Sequence, residues 1–70
     1  MSITTRQIDG LVKLTLTVFE TYKVERPSVV AVVDTARKCA PVLFNVAESV
    51  DAVNAAVPKI MAHYTAKPEA

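Results

Sequence analysis

Seventy residues, 51% of them apolar, exclude a disordered chain and leave room for one domain at most, near the lower size limit for folding alone. A net charge of +1, from eight Lys and Arg against seven Asp and Glu, argues against partners held mainly by charge, such as nucleic acid or an anionic membrane. Cys39 and His63 are the only cysteine and histidine, so neither an internal disulfide nor a Cys/His metal cluster is available to reinforce a small core. Partner subunits are the remaining common device.

No secretory or membrane-spanning segment is read. Met1 is followed by Ser2, Ile3, Thr4 and Thr5, and the first apolar stretch is amphipathic rather than continuous. The longest charge-free run, Cys39 to Ala47, has nine residues, against ~20 needed to cross a bilayer. The chain is therefore expected in the cytoplasm, or in a larger particle assembled there.

The first helix is expected over about Thr5 to Lys23. Thr4 and Gln7 have the spacing of a capping box, and Ile3 and Ile8 that of a hydrophobic staple. Ile8, Leu11, Val12, Val18, Phe19 and Tyr22 recur at helical spacing, with Thr15 filling the gap. Asp9, Lys13 and Glu20 lie opposite. Gly10 is placed with them on the polar side, where it costs about 1 kcal/mol and disturbs no packing. Leu16 stands in the middle of that polar face and marks a second contact surface.

Val24-Glu25-Arg26-Pro27 is the first break, with Pro27 suited to the first turn of a new helix and Ser28 to its cap. From there the apolar residues follow a heptad. Val29, Ala36, Leu43, Val50, Val57 and Tyr64 fall seven apart, and Val32, Cys39, Val46, Val53 and Ile60 form a second set. Val33, Ala40, Ala47 and Met61 widen the stripe. Ser28 to Val33 has strand propensity, yet no second strand candidate exists to pair with it. Pro41 and Pro58 lack the N–H that would reach the carbonyls of Arg37 and Asn54, so each kinks a helix or starts a new one. Unbroken phase across Pro41 favours a kink or a tight joint, whereas antiparallel three-helix packing needs a reversal around Cys39 to Pro41. The spacing thus predicts a second helix over about 28–40 and a third over about 41–64, continuous or separate. A frayed tail is expected from Thr65 to Ala70. The fold class is all-α: a helical hairpin or small three-helix arrangement with a long Pro-kinked second helix.

No catalytic constellation emerges. Cys39 has cationic neighbours, Arg37 and Lys38, but falls on the apolar stripe, where cysteine acts as a small hydrophobe. His63 has no second ligand and reads as a surface histidine near a helix end. Glu48 and Asp51 fall on the polar side, as a solvated face rather than an acid–base pair. With Gly10 the only glycine, a phosphate-cradling loop is excluded. The chain is accordingly expected to be non-enzymatic, with no cofactor, metal or small-molecule substrate.

Two functional readings remain. The apolar stripe exceeds what two short helices need, so the chain is expected to be a structural or assembly subunit. It would pack against copies of itself or a larger partner, as in a virion or another multi-subunit machine. Leu16, Val29, Val32, Leu43, Val46, Val50, Val53, Val57, Ile60 and Tyr64 are the interface candidates. The alternative is a small DNA-binding regulator, with Asp34 to Ser49 threaded on a helix-turn-helix whose turn is Ala40-Pro41. Its second helix would carry no Arg or Lys, and only Asn45 could address a base. A membrane-surface role ranks last, because the polar faces are mixed in sign.

Overall fold

A computed structural model describes residues 4–66 and shows three helices: α1 (Thr5–Thr21), α2 (Val29–Leu43) and α3 (Val46–Ala66). Each packs against the other two, so the fold is all-α and a small three-helix arrangement.

The start of α1 follows from its capping box. The Gln7 backbone N–H donates to Thr4 Oγ1 at 3.1 Å, and the Thr4 N–H donates to Gln7 Oε1 at 2.9 Å. Ile3, the outer half of the expected staple, lies outside the described residues. The helix ends two residues short of the expected Lys23. There Lys23 adopts a left-handed backbone, φ 57°, and its N–H donates to the Glu20 carbonyl while the Val24 N–H reaches back to that of Phe19. This is a Schellman termination with lysine where glycine is usual.

Ser28 caps α2, its hydroxyl accepting from the Ala31 N–H at 3.1 Å. Pro27 is buried just ahead of that cap, not inside the first turn. Neither Pro41 nor Pro58 starts a new helix. Pro41 lies within the last turn of α2 and Pro58 within α3, so the second and third helices are separate rather than continuous, each with a proline inside it. The break falls instead at Phe44 and Asn45. Asn45 Oδ1 accepts from the Glu48 N–H at 2.8 Å, and Glu48 places negative charge in the first turn of α3. This two-residue joint turns the chain back on itself, bringing Val33 and Arg37 beside Val53 and Asn54. Of the expected tail, Thr65 and Ala66 are still helical, with Thr65 Oγ1 donating to the Met61 carbonyl at 2.9 Å. Residues 67–70 lie outside the description.

The joint reverses the chain where the heptad reading assumed continuity. Val32, Ala36, Cys39, Val53, Ile60 and Tyr64 enter the core as the stripe implied. Val29, Leu43, Val46 and Val50 do not: Leu43, Val46 and Val50 flank the joint on its outer side, and Val29 opens α2 at the far end. Phe44 and the α2 and α3 alanines Ala40, Ala52 and Ala56 take the vacated core positions.

Helix α1 lies against both others, so a wide arc of it is covered. Leu11, Thr15 and Phe19 form its buried spine. Thr15 is satisfied locally, its hydroxyl donating to the Leu11 carbonyl at 2.8 Å. Tyr22, expected on the apolar stripe, is exposed beyond the helix end. Phe19 meets Tyr64 of α3 edge to face, ring centres 6.2 Å apart. An Asp9–Lys59 ion pair at 3.5 Å joins α1 to α3 at the surface.

Candidate functional site

Four of the core residues, Ala36 and Ala40 of α2 and Ala52 and Ala56 of α3, are alanines. Small side chains let two helices approach closely but withdraw little apolar area from water, at ~25 cal/mol per Å². Several larger aliphatic residues of these helices are left outside. Val30, Val42, Val46 and Val50 are each more than 60% exposed, Val46 reaching 89%.

These valines are not scattered. Val46 and Val50 join Val33, Pro41 and Val53 along a groove of about 390 Å³ between α2 and α3. Val46, Val50, Asn54, Val57 and Met61 recur every three or four residues on that side of α3, as do Val30, Val33, Arg37 and Pro41 on α2. Arg37, Ser49 and Asn54 are the polar members of the lining, and Arg37 is its one charge. On the opposite side of α2 runs a second groove, of about 590 Å³. Leu14, Val18, Phe19, Tyr22, Val24 and Val42 line it, together with Thr35, Lys38 and the buried Cys39. Lys38 is held at its rim by Asp34, at 3.2 Å.

A third and more polar hollow lies between α1 and α3, lined by Lys13, Leu16, Thr17, Glu20, Val24, His63 and Tyr64. Burial, and then the negative charge of Glu20, raise the Tyr64 hydroxyl above its ordinary 10.0. His63 stands edge to face with Tyr64, ring centres 5.1 Å apart. Among the described residues no three His, Cys, Asp or Glu side chains gather as a metal site requires.

The ten residues assigned to an interface divide into two groups. Val32 and Ile60 are fully buried in the chain's own core, and Val53 and Tyr64 nearly so. Val29, Leu43, Val46 and Val50 are exposed, while Val57 and Leu16 are partly covered by the core. Leu16 is thus not isolated on a polar face. It packs against the core beside Tyr64, so charging it would disturb the subunit itself. Gly10 is likewise not on an open polar side: a Cβ there would stand 3.6 Å from Leu43 Cδ1. Three residues that matter to the surface, Val30, Val42 and Arg37, were missed as interface candidates. The signal that would have found them was Asn45-Val-Ala-Glu48, whose cap places the joint and so sets which sides of α2 and α3 face out.

The turn assigned to a helix-turn-helix at Ala40-Pro41 is helical, and the segment assigned to its recognition helix straddles the joint. No helix among the described residues is long and apolar enough to cross a membrane. Fold and surface together define a small three-helix bundle with apolar grooves on both sides of its central helix. No protein-family model matches the chain, and neither a curated protein nor a solved structure matches it.

Proposed function

We propose that this chain is a non-enzymatic structural or assembly subunit that works by packing against other chains through the outer face of α2 and α3. The observation that carries the reading is the row of exposed valines, Val46 and Val50 above all, along an apolar groove. Contiguous apolar surface of this kind has a hydration cost that association removes, and in small soluble domains it marks sites of protein contact. A thin, alanine-rich core strengthens the case, since a subunit with little internal burial gains proportionately more from a partner. Location in the cytoplasm, or in a particle assembled there, belongs to the same reading.

Light scattering on the wild-type chain and on V46D/V50D tests it. Both side chains are solvent-exposed, so the variant is expected to keep its helical circular dichroism while its mass falls from a multiple to that of one chain. A wild-type mass of one chain at high micromolar concentration, matched by the variant, would remove self-assembly from the reading.

A further inference from the structure

The outward stripe of α2 carries charge as well as apolar side chains. Val30, Asp34, Arg37 and Pro41 stand four, three and four residues apart and, at about 100° per residue, fall within an arc of roughly 60°. All four are exposed, and Arg37 and Pro41 also line the groove beside α3. The order along the stripe is apolar, acidic, basic, apolar, symmetric about the midpoint between Thr35 and Ala36. Among the described residues Arg37 enters no ion pair, and Lys38 engages only Oδ2 of Asp34, which leaves Oδ1 to a second cation. The groove side of α3 has the same symmetry. Val46, Val50, Val57 and Met61 are spaced evenly about the midpoint between Val53 and Asn54. Both midpoints lie roughly 13 Å from the joint at 1.5 Å per residue, so they stand at one height.

We propose, resting on the assembly reading above, that the occupant of this face is a second copy of the chain. It docks antiparallel, about a two-fold axis that runs perpendicular to α2 and α3 through both midpoints. A two-fold contact uses one patch twice, so the patch must be complementary to itself. Inversion about the midpoint of α2 brings Arg37 of each copy against Asp34 of its mate, and Val30 against Pro41. On α3 the same axis brings Val46 against Met61 and Val50 against Val57, apolar against apolar. An axis parallel to the helices would keep height and set α2 against the mate's α3. Arg37 would then meet Val50, Asp34 would meet Asn54, and both charges would lack a partner. The apolar contacts give the affinity, while the two Asp34–Arg37 pairs select the antiparallel orientation. A second copy is favoured over a foreign chain because this one stripe supplies both halves of every pair.

Charge reversal tests the pairing. R37E sets Glu against Asp34 and D34R sets Arg against Arg37, in each case at both symmetric contacts. Each is expected to weaken the dimer roughly tenfold by sedimentation. D34R/R37E restores opposite charges across the axis and is expected to recover most of that loss. Circular dichroism verifies that all three variants retain their helices. R37E is the cleaner single variant, since D34R also removes the exposed Asp34–Lys38 pair. Recovery in the double variant supports the proposal. A dimer that V46D/V50D breaks but R37E does not, or a double variant no tighter than the singles, overturns the antiparallel pairing and leaves the assembly reading standing. A wild-type chain that stays monomeric overturns both.

Discussion

Gly10 illustrates how a single residue was half legible. Its low helix propensity follows from its missing side chain, but its neighbour follows from the tertiary fold. A Cβ at that position would make ordinary contact with Leu43 at 3.6 Å, and the backbone is not in the left-handed region. Gly10→Ala should therefore stabilise the fold by about 1 kcal/mol through helix propensity and a more restricted unfolded chain. Thermal unfolding at fixed concentration should show a rise of roughly 4–8 °C. A fall would mean that Leu43 is held against Gly10 more tightly than an added methyl allows. Thr15 and Cys39 were readable at this scale because each sits at helical spacing among apolar neighbours, and both are buried. Val46 and Val50 were placed on the same stripe as the core residues, and that they face outward follows only from where the helix ends.

Helix ends are accordingly the features that decide the fold. The Thr4–Gln7 box and the Ser28 cap were legible because hydroxyl side chains at the edge of an apolar pattern have few other uses. The α2–α3 joint was not, because two prolines drew attention from Asn45. Proline in the last turn of a helix leaves only one carbonyl without its partner, and at Pro41 that is the carbonyl of exposed Arg37, which water can reach. Phe44 closes α2, its N–H donating to the Ala40 carbonyl, and Asn45 begins α3. The close of α1 offers a test at this scale. Lys23 holds φ 57°, a conformation that costs a non-glycine residue ~1 kcal/mol. Lys23→Gly should keep the Schellman hydrogen bonds and shift the urea midpoint upward by about 0.5 kcal/mol of stability, with the slope unchanged. A lower midpoint would show that the lysine side chain contributes more than its backbone strain removes.

For the whole molecule, the balance between core and surface is the governing quantity. Apolar periodicity made an all-helical fold legible, and one cysteine and one histidine argued against an internal disulfide or a Cys/His metal cluster. Which side of α2 and α3 remains open could not be read until the joint was placed. The three-helix arrangement buries Leu11, Val32 and Ile60 fully, but a third of its core residues are alanines and a row of valines is left in water. Chain entropy of ~1–2 kcal/mol per residue opposes folding throughout, so a core this thin leaves a small margin that association can enlarge. If copies of the chain cover the α2–α3 face, folding is linked to assembly by mass action and stability must rise with concentration. Thermal unfolding across a hundredfold dilution series tests this most directly. The melting temperature is expected to climb steadily with protein concentration; a value that stays constant from low to high micromolar would contradict self-assembly.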